Sequence, residues 1–247
     1  MAVAVKVDRL VKVYKGGTRA LDGISFEVEE GEIFGLIGPN GAGKTTTLRI
    51  VATLLQPTSG TVAVFGVDVT EDPGKVREMI GYLPEDAGAY RNLTGYEFLR
   101  FVASFRAKSK PELEDMLSRA EKISALGESL RKRVKTYSKG MLRRLLVAAS
   151  LMHTPRLAIL DEPTTGLDVV NAVRIRDIIR SYARREGVTV LLSSHNMLEV
   201  EYLCDRVAII HRGRIVAMGA PEDLKNRYGA PNLEKVFVEV TGSGAFS

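Results

Sequence analysis

The segment Gly38-Pro39-Asn40-Gly41-Ala42-Gly43-Lys44-Thr45 constrains what this chain can fold into more than any other stretch of it. Its glycine spacing lets backbone N–H groups crowd a polyphosphate, and the helix that must follow adds the positive end of its dipole. Lys44 then reaches the β and γ oxygens, and the Thr45 hydroxyl is placed to ligate Mg²⁺. Such a loop works only between a strand that delivers it and a helix that receives it. Both are legible: Ile33 to Ile37 read as a strand, and Leu48, Val51, Ala52 and Leu55 share one helical face. A chance match of the four fixed positions in a chain of 247 residues is on the order of one per cent at ordinary residue usage.

A second chemical feature follows much later in the chain. Leu157-Ala158-Ile159-Leu160-Asp161-Glu162 sets two carboxylates at the carboxyl end of an apolar strand, where open parallel sheets bind their ligands. Asp161 is suited to hold Mg²⁺, directly or through water, and Glu162 to polarise an attacking water. An acidic pair ending a strand is otherwise often a helix cap. Beside the phosphate loop it points to hydrolysis.

The rest of the chain supplies the scaffold. Val3, Val5 and Val7, then Ile24, Phe26 and Val28, then Ile33 to Ile37, with Val62 and Val64 before Gly66, alternate as antiparallel strands do. Leu157 to Leu160 and Val188 to Leu192 are nearly continuous apolar runs, expected of strands covered on both faces. Between them, Thr94 with Glu97 and Ser109 with Glu112 have capping-box spacing, the first ahead of Phe98, Phe101, Val102 and Phe105. A third helix starts at Ser138. A further helix over about 168–186 stops at Gly187, and a hairpin turns at Arg212-Gly213. The fold class is α/β, with a parallel core, an antiparallel annex and a helical insertion.

Composition bounds the setting. Hydrophobic residues are 45% and charged residues 26%, as in ordinary globular proteins, and the lone Cys204 excludes a disulfide framework. No apolar run approaches the roughly 18 to 20 residues of a spanning helix, and Met1-Ala2-Val3-Ala4-Val5 is not followed by a signal-type region, so a cytoplasmic protein is expected. The net charge of +5 permits a polyanion or an anionic membrane surface without requiring either. The densest basic stretch, Arg131-Lys132-Arg133 with Lys135 and Arg143-Arg144, reads as a solvated face. No aromatic residues interleave with it, so no nucleic-acid partner is expected.

Phosphate loop, acidic pair and the intervening Tyr137-Ser138-Lys139-Gly140-Met141 together resemble the ATP-binding cassette (ABC) ATPases, whose signature Leu-Ser-Gly-Gly-Gln lies just ahead of the second motif. The resemblance runs from about residue 3 to 227. It implies a RecA-like P-loop ATPase core with the β annex, over residues 1–87 and 154–227, and a helical subdomain over 88–153. Residues 1–227 then form a single ABC ATPase domain followed by a C-terminal tail, 228–247. ATP and Mg²⁺ are the implied cofactors. The nucleotide is sandwiched between two ATPase subunits, each lending its signature to the γ-phosphate bound by the other.

The family positions carry over residue by residue. ATP binding falls to Tyr14, stacking on adenine, and to Gly38, Pro39, Asn40, Gly41, Ala42, Gly43, Lys44, Thr45 and Thr46. Ser138, Lys139 and Gly140 face the opposite nucleotide; Tyr137, Lys139 and Met141 depart from the family's pattern. Asp168, in Gly166-Leu167-Asp168, resembles the residue that crosses the dimer interface. His195 resembles the switch histidine, catalytic together with Glu162. The metal set is Thr45, Asp161 and Glu85, the last standing where most relatives have glutamine.

Glu85, the ending Lys139-Gly140-Met141 and the tail Leu233-Glu234-Lys235-Val236-Phe237 look like the type-2 export branch. The function this implies is the ATP-hydrolysing subunit of a membrane exporter. Its partners would be separate integral membrane subunits and a second ATPase subunit, identical or not, and its place the cytoplasmic face of the membrane. The alternative is a soluble ABC ATPase acting on ribosomes or DNA. Those relatives duplicate the cassette or insert long coiled coils, whereas about 95 residues separate Gly43 from Ser138 here. A module that senses ATP without turnover is disfavoured by intact Glu162 and His195.

Overall fold

The computed structural model describes residues 2–242. Two long strands, β1 (Val3–Val13) and β2 (Arg19–Glu29), pair antiparallel, and Val5, Val7, Leu10, Ile24, Phe26 and Val28 turn inward. Val3 does not share that face: the register shifts between Val3 and Val5, and Val3 is 37% exposed. β3 (Ile33–Ile37) leads into the phosphate loop and α1 (Lys44–Val51). The helix stops at Ala52, before Leu55, as Thr53 takes a left-handed φ of 63°. β4 (Ser59–Val64), β5 (Val67–Asp68), α2 (Pro73–Met79) and β6 (Ile80–Leu83) follow.

The helical stretch opens with α3 (Gly95–Ser104), whose capping box forms as its spacing predicts. Glu97 N–H donates to Thr94 Oγ1 at 3.1 Å, and Thr94 N–H to Glu97 Oε2 at 2.7 Å. α4 (Lys110–Ser124) has only half a box, because the Glu112 carboxylate takes the N–H of Lys108 instead of that of Ser109. Two 3₁₀ turns lead to α5 (Lys139–Leu151), capped by Ser138. Phe98, Leu99 and Ala103 face inward, but Phe101 and Phe105 do not join that core. They lie one helical turn apart on the outer face, 41% and 74% exposed, and meet edge-on, Phe101 also meeting Tyr90 edge-on.

β7 (Leu157–Asp161), α6 (Val169–Glu186), β8 (Thr189–Ser194), α7 (Met197–Leu203) and the hairpin of β9 (Arg206–His211) and β10 (Arg214–Gly219) complete the sheets. α6 ends at Gly187 in a left-handed cap. The chain continues through α8 (Pro221–Tyr228) into α9 (Leu233–Thr241). The stretch read as a tail is thus not detached: Leu233 and Val236 are wholly buried in the main core, and Phe237 meets the His211 ring. Residues 243–247 of that tail lie outside the described residues.

One sheet has the order β10-β9-β3-β8-β7-β6, parallel except for β10; the other, β2-β1-β4-β5, is antiparallel. β3 therefore belongs to the centre of the parallel sheet rather than to the antiparallel alternation. Its Ile33 and Ile37 face the helices, while Phe34 and Leu36 face the annex and α1. The same alternation runs through β7, β8 and β9, which is why those runs are apolar throughout. The carboxyl ends of β3, β8 and β7 are thereby brought side by side, with Ile37 opposite Ser194 and Asp161 opposite Ser193. Since α9 is seated in this core, Leu233→Ala should lower the unfolding free energy by about 3 kcal/mol, as truncation of a fully buried leucine does. Urea denaturation checks it, and an unshifted midpoint would show α9 to be dispensable.

Candidate functional site

The phosphate loop bends where only glycine fits. Gly43 has φ 112°, and a Cβ there would lie 2.7 Å from the Ala20 carbonyl and 2.6 Å from the Leu21 side chain. Lys44 is buried at the start of α1; its ammonium donates to the carbonyls of Gly38 at 2.7 Å and Pro39 at 3.2 Å. It also forms an ion pair with Glu162 Oε1 at 3.2 Å. The loop and the end of β7 are thus tied through one cation.

Asp161 is fully buried beneath the loop. Its Oδ1 accepts from Ser193 Oγ at 2.6 Å and Thr45 Oγ1 at 3.2 Å, whereas Oδ2 has no hydrogen-bond partner. Burial pushes the Asp161 carboxyl above the usual range; the hydrogen bonds from Ser193 and Thr45 oppose this, and the charge of Glu162 adds to it. An orphaned carboxylate oxygen beside a threonine hydroxyl suits a divalent cation. Among the described residues no trio of His, Cys, Asp and Glu side chains is clustered to hold one. The hydroxyl of Thr45 and the free Oδ2 of Asp161 are hard oxygen donors, which fit an Mg²⁺ that shares its other positions with phosphate oxygens.

Glu162 has an unusual backbone for a glutamate, with φ 48°. Its N–H donates to Ser193 Oγ at 2.9 Å. Its Oε2 meets His195 Nδ1 at 2.8 Å and accepts from Thr165 Oγ1 at 2.9 Å. Two cavities share it. One, of about 500 Å³, is lined by Tyr14, Pro39, Asn40, Gly41, Gly43, Lys44, Thr45, Thr46 and Glu85. The other, of about 400 Å³, holds His195 and the buried Glu199, whose carboxyl accepts from Thr164 Oγ1 at 2.6 Å. Burial, opposed by that hydrogen bond, raises the pKa of Glu199.

The structure brings most of the sequence-derived set to the first cavity or just under it. Gly38 contributes the carbonyl that holds Lys44, Ala42 is buried below the loop, and Tyr14 reaches Thr46 Oγ1 through its hydroxyl at 3.1 Å. Thr18, Arg19 and Ala20 also line the cavity. Sequence reasoning did not find them; they belong to no motif and are placed there by the start of β2. Ser138, Lys139, Gly140 and Asp168 do not line either cavity. Gly140 and Asp168 meet at Asn171 instead. Asp168 caps α6, bonding Asn171 N–H at 3.0 Å and Nδ2 at 2.6 Å, and a Cβ on Gly140 would lie 2.4 Å from that same Asn171 side chain.

The basic stretch needs correction at one position. Arg143 is not part of a solvated face but is 7% exposed, its guanidinium bonded to backbone carbonyls at the ends of β6 and β7. Its neighbour Arg144 sends Nη1 to the Ala125 carbonyl at 3.0 Å.

A phosphate loop at the centre of a parallel sheet, with a carboxylate pair ending a strand two places away, defines a P-loop ATPase. The ABC transporter family matches residues 21–165, and the chain belongs to that family. Its reaction is ATP hydrolysis. It is 42% identical over 227 residues to the daunorubicin/doxorubicin resistance ATP-binding protein DrrA of Streptomyces peucetius, covering 92% of this chain and 68% of that one. It is 35% identical over 240 residues to the linearmycin resistance ATP-binding protein LnrL of Bacillus subtilis, covering 97% and 75%. A solved structure of an ATP-binding subunit of an ABC transporter superimposes with a TM-score of 0.84 at 30% identity, covering 96% of this chain and 99% of that chain. Among the described residues no helix is long and apolar enough to cross a membrane.

The raised pKa of Asp161 has a sign that can be tested. A buried carboxyl that titrates above its unfolded value costs stability, starting as pH rises through the ordinary carboxylate range and in full above the raised value. Both hydrogen bonds land on Oδ1, so asparagine can keep them while removing the charge. Asp161→Asn should therefore melt higher than wild type at neutral pH without nucleotide or metal, by a few degrees (about 2–4 °C per kcal/mol for a chain of this size). The difference should shrink toward acid. Thermal scans across pH check it, and a lower melting point at neutral pH would contradict the desolvation account.

Proposed function

We propose that this chain is the ATP-hydrolysing subunit of an exporter, working as one of a pair of ATPase subunits on the cytoplasmic face of a membrane, with the spanning subunits supplied separately. The observation that carries the pairing is a separation. Gly140 and Asp168 both stand beside Asn171, and neither they nor Ser138 and Lys139, which adjoin Gly140 in the chain, line the cavity around Lys44. A second copy, or a similar subunit, that brings its own copies of these residues over this cavity completes the site, while Ser138 and the amino end of α5 supply N–H groups and a dipole suited to a γ-phosphate. The unit doing this is the domain 1–227, with its helical subdomain over 88–153 inserted in the core.

Each residue then has a definite task. Polyphosphate entering the first cavity draws Lys44 off Glu162 and onto its own oxygens. Glu162, still held through Oε2 by His195 and Thr165, is left to take a proton from water. Tyr14 offers its ring to the adenine. Thr45 and Asp161 would hold Mg²⁺, with Glu85 at the cavity rim, and the ion would supply neutralising charge at the phosphates.

The export direction and the partner are supported differently. DrrA and LnrL are both named for drug resistance, which fits outward transport. The exposed rings of Tyr90, Phe101 and Phe105 give the helical subdomain an apolar face suited to a spanning subunit. The soluble alternative has no comparable observation in its favour.

Glu162→Gln should lower turnover by about 10² to 10⁴ while keeping ATP affinity, as loss of a positioned base does. With ATP and Mg²⁺ the variant should run as a dimer in light scattering. Phosphate release above a tenth of the wild-type rate would refute the base, and a monomer with ATP bound would refute the sandwich.

A second test addresses docking. Phe101→Glu with Phe105→Glu should leave basal hydrolysis within about twofold, since these surface rings line neither cavity, but abolish binding to membranes that bear a spanning partner subunit. Unchanged co-sedimentation would place the partner elsewhere.

A further inference from the structure

Arg143 ties the ends of β6 and β7 to α5. Every hydrogen bond of its buried guanidinium goes to a backbone carbonyl: Nε to Pro163 at 2.7 Å, Nη2 to Asp161 at 3.0 Å and Glu162 at 2.6 Å, Nη1 to Pro84 at 3.4 Å and Glu85 at 3.2 Å. The first three acceptors lie at the end of β7, and the last two follow β6. Arg143 itself stands on α5, five residues and about 7 Å along the axis from Ser138.

A buried cation with only carbonyl partners is a costly way to fill space, because an apolar side chain of similar volume packs without the desolvation penalty. Burial works against the charge of Arg143, while Asp161, Glu85 and Glu162 support it from a distance. What the guanidinium provides is a fork rigid enough to fix several carbonyls at once. The strained peptide of Glu162 requires such fixing, since a left-handed glutamate persists only where its surroundings over-determine it. Its N–H is held by Ser193 and its carbonyl by Arg143.

We propose that Arg143 is a positioning residue for ATP hydrolysis: by clamping the carbonyls of residues 161–163 and 84–85 to the helix that begins at Ser138, it aims Glu162 and Glu85 at the nucleotide. The role rests on the reading of Glu162 as the base. It links the signature end of α5, which serves the opposite nucleotide, to the carboxylates that serve the chain's own. No hydrogen bond joins Arg143 to Lys44, Thr45 or the phosphate loop, and its bonds to Asp161 and Glu85 go to their carbonyls rather than their carboxylates, so its loss falls on turnover more than on ATP affinity.

The test uses the full chain with Mg²⁺ and ATP. Arg143→Gln should lower kcat at least tenfold with ATP affinity and KM within threefold of wild type, and Arg143→Lys, which keeps the charge and some of the donors, should fall between. The double variant Arg143→Gln, Glu162→Gln should be no slower than Glu162→Gln alone. A kcat within twofold of wild type in folded Arg143→Gln, a loss that falls equally on affinity, or losses that multiply in the double variant would each overturn the proposal. Near-wild-type turnover in Glu162→Gln overturns the assignment of the base. A lost kcat in that variant with full kcat in Arg143→Gln overturns the role of Arg143 alone. Arg143→Lys also covers a failure of Arg143→Gln to fold: its amide hydrogen exchange should quicken at least threefold over 84–87 and 161–165 but not in β1 and β2. Unaltered exchange in both segments would end the idea.

Discussion

A single buried oxygen, Asp161 Oδ1, joins three neighbouring strand ends, and the site depends on it. Ser193 reaches it from β8 and Thr45 from the helix after β3, while Asp161 itself closes β7. Because both donors converge on Oδ1, Oδ2 is left buried without a hydrogen-bond partner. Leaving that oxygen unpaired costs free energy that the rest of the fold must offset. The parallel register between β7 and β8 sets the spacing, so the site's precision is inherited from backbone pairing rather than from loop conformation.

Glu162 extends that arrangement outward. It lies in both cavities, paired with Lys44 on one side and with His195 and Thr165 on the other. A carboxylate so shared senses the phosphate side and the side occupied by Glu199 and the start of α6 together. Its left-handed backbone is what turns it across the strand end; a glutamate in ordinary extended geometry would continue the direction of β7.

Much of this was legible in the sequence, for identifiable reasons. The phosphate loop could be read because its chemistry is set by covalent spacing, and the helix starts at Thr94 and Ser138 because caps act within three residues. β3 was misplaced because five apolar residues look alike in a parallel or an antiparallel sheet; only its partners, β8 and β9, decide. Arg143 and Arg144 are the same residue type side by side, and what separates them is a set of backbone carbonyls up to 59 positions away, which no side-chain pattern announces. Phe101 and Phe105 kept helical periodicity but on the outer face, so their spacing misled where their partners would have informed.

The meeting of Gly140 and Asp168 at Asn171, apart from Lys44, has a genetic consequence for the proposed pair. A lesion there would be silent in the pocket of the chain that bears it and felt in its neighbour's. When sound and defective copies are expressed equally and associate at random, only about a quarter of twofold pairs are wholly sound. Such alleles would be dominant in effect, and their severity would follow expression ratio rather than the local stability of the mutant fold.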